Sequence, residues 1–210
     1  MSLHGPQYIP KGAKSVIVFL HGYGSNGEDL MSLAPVLAEA FPGTAFFAPN
    51  GPDQTVYGMG YQWFSDAGGT FDDRKGIGKS QELLASYLAD DVWQAHGLKA
   101  EKTVLVGFSQ GTMTSLFVAP RLADKIAGVA GFSGRLMYED ELEGDVGHRM
   151  PIALYHGEDD DVVPAADSRR AQAALAQLGF EVEAHFYPDL PHSIDMRGMN
   201  DLKTFLKKVL

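Results

Sequence analysis

The chain contains no cysteine, which excludes disulfides, thiolate metal sites and a cysteine nucleophile. Lys and Arg form no run anywhere, and the formal charge is −10 at pH 7. Nucleic acid and anionic membrane surfaces both demand clustered positive charge, so neither is an expected partner. No apolar run approaches the roughly 20 residues that span a bilayer, so integral membrane association is not expected. The opening stretch MSLHGPQYIPKGAKSV lacks the charged start and apolar centre of a secretory leader. A cytoplasmic location is the expectation that fits these absences. Internal repeats and low-complexity linkers are missing too. With 210 residues, 45% of them apolar and 21% charged, residues 1–210 are expected to form one domain with a sizeable core.

What is present alternates between two kinds of segment. SVIVFL (15–20), TAFFAP (44–49), TVLVGF (103–108), IAGVAGF (126–132) and PIALYHG (151–157) are apolar without alternation, as strands covered on both faces should be. EVEAHFY (181–187) alternates and reads as a strand nearer a sheet edge. Between them, segments 28–41, 80–97, 164–179 and 197–210 carry apolar residues at helical spacing. Leu30, Leu33, Leu37 and Phe41 share one face of the first of these. The third begins at Pro164 and ends at Gly179, which suits the two ends of a helix. The β-α alternation predicts an α/β fold, a mostly parallel central sheet with helices on both faces. Residues 50–78 form the one long segment without this order, rich in glycine and in aromatics such as Tyr57, Tyr61, Trp63 and Phe64. A loop of that length in a compact domain is usually functional or disordered, and the aromatics favour function.

Gly107-Phe108-Ser109-Gln110-Gly111 is a G-x-S-x-G between an expected strand and an expected helix. A nucleophile elbow requires that setting, because the turn leaves no room for flanking side chains and lifts the hydroxyl clear of the sheet. A serine hydroxyl needs a base to attack at neutral pH, and in an α/β-hydrolase the order is Ser, acid, His. Of the seven histidines, His4, His21 and His96 precede the serine, and His148 and His156 precede the acid loop or lie at it. His185 falls inside a strand, which leaves His192 in YPDLPHSIDM as the base. The acid belongs to the run Glu158-Asp159-Asp160-Asp161 after IALYHG, and spacing alone does not choose among them. Consecutive carboxylates in a short loop cannot all face one Ca²⁺ or Mg²⁺, so no metal is expected there. The backbone N–H groups of Tyr23, behind the early strand and its HG dipeptide, and of Gln110 are the candidate oxyanion donors. Gly76-Ile77-Gly78-Lys79-Ser80 imitates the tail of a phosphate-binding loop, but Asp73 stands where its first glycine must be, so nucleotide binding is rejected.

The motifs FLHGYGSNGEDL, APNGP followed by QWF, GFSQG, FSGRL, HGEDDDVVP and PHSI occur in that order. Together they make the chain similar to the phospholipase/carboxylesterase family of α/β-hydrolases, which includes the acyl-protein thioesterases. The family pattern H-G-x-x-D-x-x-V-P, counted from His156, implies Asp160 as the acid. The resemblance thus implies a triad of Ser109, Asp160 and His192, with Tyr23 and Gln110 as backbone oxyanion donors; a triad mechanism needs no metal or cofactor, and 210 residues spent on sheet and helices leave no room for a separate cap domain. It implies that Trp63 lines the acyl site, and Phe64, Leu30 and Val163 are the other expected substrate contacts. Thr112 departs from the usual GFSQGG, and Asp161 replaces a frequent proline. The expected activity is hydrolysis of short-to-medium acyl esters or thioesters, the alternatives being a lysophospholipase or an acyl-protein thioesterase. The expected partner is a small-molecule ester, an acylated protein or a lysophospholipid, and oligomeric state is left open, a homodimer included. A dienelactone-hydrolase-like enzyme would need the absent cysteine, and a non-catalytic binding module would be expected to lack one of the three triad residues.

Overall fold

The computed structural model describes residues 2–56, 58–66 and 72–210. The main sheet contains β1 (Gln7–Tyr8), β2 (Ser15–Leu20), β3 (Thr44–Phe47), β6 (Thr103–Phe108), β7 (Gly128–Phe132), β8 (Ile152–Gly157) and β9 (Val182–Tyr187). A separate pair, β4 (Asp53–Gln54) and β5 (Tyr61–Gln62), lies within the long loop. The seven-stranded order is β1-β3-β2-β6-β7-β8-β9. Only β1 runs antiparallel to its neighbour; the other pairs are parallel. The chain steps outward from β2 to β3, then crosses back to place β6 on the other side of β2. That reversal leaves a crevice at the C-terminal ends of β2 and β6, where open α/β sheets bind ligands.

The helices are α1 (Gly27–Met31), α2 (Ala34–Ala38), α3 (Arg74–Ser86), α4 (Gln110–Val118), α5 (Glu139–Asp145), α6 (Ala165–Gln177) and α7 (Met196–Val209). Successive β2 side chains serve opposite layers. Val16, Val18 and Leu20 pack with residues of α3, α4 and α6, whereas Ile17 and Phe19 pack with residues of α1, α2 and α7. Both faces are therefore covered, which is why the strand sequences show no polar alternation. The alternating segment 181–187 becomes β9, at the edge of the sheet. At the other edge β1 is only two residues long, too short to carry a period.

Two expected helices change their limits. The segment 28–41 splits into α1 and α2, because Pro35 has no N–H for the carbonyl one turn earlier and its ring crowds that carbonyl. The segment 80–97 starts earlier, at Arg74, where the Asp73 side chain accepts the Gly76 N–H. It continues past Ser86 as a π-helical stretch, Tyr87–Gln94. The phosphate-loop look-alike thus lies inside α3, with Lys79 paired to Asp53 at 2.8 Å. Tyr57 and residues 67–71 of the long loop lie outside the described residues.

Candidate active site

Ser109 sits between the end of β6 and the start of α4 with φ 53° and ψ −117°. A non-glycine residue in such a conformation costs on the order of 1–3 kcal/mol and persists only where its surroundings over-determine it. Here the Ser109 N–H donates to the Phe132 carbonyl at 2.8 Å, and the Ser109 carbonyl accepts the Met113 N–H at 3.1 Å. Gly111 packs against the Leu20 and His21 carbonyls with no space for a Cβ, and a Cβ on Gly107 would strike the backbone of Gly111. The elbow is thus seated directly on the end of β2. Thr112, in place of the second glycine of GFSQGG, donates its hydroxyl to the same Phe132 carbonyl at 2.7 Å. Its methyl group occupies space left by Gly131 and Gly134.

The loop after β8 brings a carboxylate to the histidine before α7. Asp160 Oδ2 lies 2.7 Å from His192 Nδ1, and Oδ1 accepts the N–H groups of Val162 (3.0 Å) and Val163 (2.9 Å). An ionised carboxylate only accepts, so Nδ1 carries the proton and Nε2 keeps its lone pair. Burial pushes the Asp160 carboxyl up, but the hydrogen bond from His192 and the two amides outweigh it and hold it below the usual range. Of the four carboxylates in the run, Asp160 alone is buried and bonded to His192. Glu158 pairs with Arg169 at the surface. The His192 ring rests on Phe108, centroids 4.8 Å apart. A second histidine, His156, places Nε2 2.8 Å from the Val163 carbonyl and 3.2 Å from Asp160 Oδ2. Its Nδ1 lies 2.7 Å from the Ser168 hydroxyl on α6. This contact escaped the sequence reading, although His156 stands four residues before Asp160 in the HGEDD run.

The turn after β2 is pinned from three sides. His21 Nε2 accepts the Gly51 N–H at 2.9 Å, which leaves Nδ1 to donate to the Gly22 carbonyl at 2.8 Å. The Trp63 indole N–H donates to the His21 carbonyl at 3.0 Å. The Gln110 side chain accepts the Trp63 N–H and donates to the Phe64 carbonyl, both at 2.8 Å. Tyr23 follows this turn, and Gln110 opens α4, whose first N–H groups have no acceptor within the helix.

The chain as a whole is similar to known proteins. A family model described as Phospholipase/Carboxylesterase matches residues 10–210. The chain belongs to the phospholipase/carboxylesterase family. Among curated relatives, acyl-protein thioesterase 1 of Emericella nidulans is 30% identical over 229 residues, covering 98% of this chain and 95% of that protein. Esterase YpfH of Escherichia coli K12 is 30% identical over 194 residues, covering 90% of this chain and 80% of that protein. Among solved structures, esterase PE8 superposes with a TM-score of 0.92 at 34% identity, with both chains fully covered (100%). Zea mays acyl-protein thioesterase 2 gives 0.81 at 25% identity, covering 98% of this chain and 99% of that one.

In this phospholipase/carboxylesterase-family chain the crevice is a cleft of about 650 Å³ lined by Ser109, His192, Tyr23, Leu30, Phe108 and Val162, among others. No separate cap covers it among the described residues. Leu30, one of the expected substrate contacts, lines the cleft. Trp63, Phe64 and Val163, the others, do not line it. Trp63 and Phe64 are 0% and 1% exposed and form part of the core under the cleft. The reason is polar as well as apolar: the indole N–H and both backbone groups at 63 find their partners only when the segment turns inward. Val163 is buried because its N–H and carbonyl clamp Asp160 and His156; its neighbour Val162, 56% exposed, faces the cleft instead. Asp29 and Asp66 also line the cleft; nothing in their surroundings in sequence distinguishes them from ordinary surface acids. Among the described residues, no group of three or more His, Asp or Glu is placed to hold a metal ion, and no helix is long and apolar enough to cross a membrane.

Burial outweighs the Gly22 carbonyl and Asp29 at His21, and the Val163 carbonyl and Asp160 at His156, so both imidazoles titrate below their usual range. The unfolded chain then binds more protons than the folded one as pH falls below about 6.5. Stability is complete above that pH and declines below it, until the lowered folded-state values are reached. Each such histidine contributes a slope of up to about 1.4 kcal/mol per pH unit. The urea midpoint is expected to drop between pH 7.5 and pH 5; an unchanged midpoint would contradict two buried, neutral histidines.

Proposed function

We propose that the chain is a serine esterase acting through Ser109, His192 and Asp160. The observation that carries the reading is the strained Ser109 sharing one cleft with His192, whose Nδ1 is held by the buried Asp160. His192 Nε2 takes the Ser109 proton as the hydroxyl oxygen attacks an acyl carbonyl. The amides of Tyr23 and Gln110 receive the oxyanion, and the proton passes to the leaving alcohol or thiol. Water then repeats the cycle on the acyl-enzyme. Asp160 keeps the imidazole in the useful tautomer and stabilises its charged form. Residues 1–210 act as one catalytic unit, working on small soluble esters in the cytoplasm. The names of the relatives, esterase and acyl-protein thioesterase, support both oxygen and sulfur leaving groups.

The open cleft supports a preference for short-to-medium acyl chains. Each buried methylene adds only about 0.8 kcal/mol, and a wall made of Leu30, Phe108 and Val162 covers few of them. With p-nitrophenyl esters of increasing acyl length, kcat/KM is expected to peak at short-to-medium chains. Rates should show no jump as the substrate passes its critical micelle concentration. A jump at the micelle threshold together with a preference for long chains would sink this reading of the cleft.

A further inference from the structure

The Asp160 carboxylate is faced by donors on every side. Oδ1 accepts the two valine N–H groups, and Oδ2 faces two imidazoles, His192 Nδ1 at 2.7 Å and His156 Nε2 at 3.2 Å. An ionised carboxylate offers about four acceptor directions, so none is left over for water. The side chains of His156 and Asp160 are 0% exposed, whereas His192 is 17% exposed and lines the cleft. A substrate can therefore meet His192 but not His156. The His156 ring is itself fixed. Nε2 is surrounded by acceptors only, the Val163 carbonyl at 2.8 Å and the Asp160 carboxylate, so it carries the proton of the neutral ring. Nδ1 then accepts from the Ser168 hydroxyl on α6 at 2.7 Å, a proton for which the Gly134 carbonyl, 2.9 Å from the same hydroxyl, competes. Val163 closes the arrangement, because its N–H binds Asp160 Oδ1 while its carbonyl binds His156. His156 thus meets the acid twice, directly at Oδ2 and through residue 163 at Oδ1.

We infer that His156 is a positioning residue for ester hydrolysis: its Nε2–H keeps the Asp160 carboxylate turned towards His192, and so keeps His192 aligned as the base for Ser109. The inference rests on the reading of this cleft as the esterase site. His156 acts only through Asp160, so its loss lowers kcat and leaves KM nearly unchanged. A misplacement of about 1 Å far from the chemistry can cost about 10²-fold. The loss is therefore smaller than that from removing the carboxylate itself, roughly 10⁴.

The test compares two side chains of nearly equal length and shape, His156→Met and His156→Gln, of which only the glutamine can offer an N–H to Asp160. Turnover of p-nitrophenyl butyrate is measured in protein shown to be folded by circular dichroism and a urea midpoint. His156→Met is expected to lower kcat by about 10- to 100-fold with little change in KM, and His156→Gln to recover most of that loss. The same two substitutions are then added to Asp160→Asn. Groups that act as one unit are not additive, so His156→Met should cost no more than about twofold there, whereas a merely structural fault would cost the same in both backgrounds. Should His156→Met fail to fold, Ser168→Ala answers the same question. It keeps the Nε2–H but frees the ring at Nδ1, so kcat should fall about threefold, and again only where Asp160 is intact. Wild-type kcat in the folded variant, equal losses in the methionine and glutamine proteins, or an undiminished loss in the Asp160→Asn background overturns the inference while leaving the esterase reading intact. Failure of the unaltered protein to hydrolyse the ester overturns both.

Discussion

Ser109→Ala is expected to leave a folded protein with ester hydrolysis reduced by about 10⁴- to 10⁶-fold. The magnitude follows from what the variant removes: loss of a triad serine leaves only the catalysis supplied by oxyanion donors and binding. Folding should survive because the hydroxyl contributes little to the elbow, which is held by the Ser109 backbone, the Phe132 carbonyl and the close seat of Gly111 on β2. Alanine must still adopt φ 53°, so it inherits the strain without adding a large new term. The measurement is turnover of a p-nitrophenyl ester alongside circular dichroism and a urea midpoint. Turnover like the wild type in a clean Ser109→Ala preparation would remove the serine-esterase mechanism altogether.

The second large effect belongs to Asp160. An asparagine there can keep its oxygen towards the Val162 and Val163 amides. It then turns an NH₂ group towards His192 Nδ1, and the imidazole must move its proton to Nε2 in order to accept it. In that tautomer Nε2 cannot serve as base, a fault that costs roughly 10⁴ in kcat. The same NH₂ also faces the Nε2–H of His156, but that N–H keeps the Val163 carbonyl at 2.8 Å, so the buried donor stays paired. Asp160→Asn should therefore lose far more activity than stability. Asp159→Asn and Asp161→Asn alter exposed side chains, and changes of that kind usually stay within about 0.5 kcal/mol. Their turnover should remain close to that of the wild type. If Asp161→Asn proved the crippling substitution, the acid would have been assigned one residue out of register.

The parts of this molecule legible in the sequence are those where one local signal dominates. β2, β6 and β8 could be read because burial on both faces demands unbroken apolar runs. β9 could be read as an edge because Glu183 and His185 interrupt that pattern. The split between α1 and α2 shows two signals in competition. The spacing of Leu30, Leu33 and Leu37 suggested one helix, but Pro35 prevails because a missing backbone donor is not offset by side-chain placement. The candidate site was legible through chain order, which singles out Ser109 and His192. Asp160 needed the family pattern, since four adjacent acids look alike until the fold buries one. Trp63 was misread for a different reason. An aromatic side chain in a glycine-rich loop could line a pocket or fill a core, and the deciding partner, the His21 carbonyl, is 42 residues away in sequence. Asp29 and Asp66 carry no local signal, because their placement on one cleft depends on two separate loops closing together.

The two glycines of the elbow are usually explained separately, each by the tightness of its own side of the turn. In this structure they meet: a Cβ on Gly107 would collide with the backbone of Gly111, while a Cβ on Gly111 would collide with the end of β2. Three successive layers of main chain lie in contact there with no side chain between them. The pattern is thus one steric condition written twice in the sequence, and mutational drift at either position is conditional on the other. The position just beyond the elbow is less constrained, since Thr112 fits there in place of a glycine by filling the space left by Gly131 and Gly134. Evolution cannot exchange one glycine for a larger residue and compensate at its partner, because the partner has nothing left to give up.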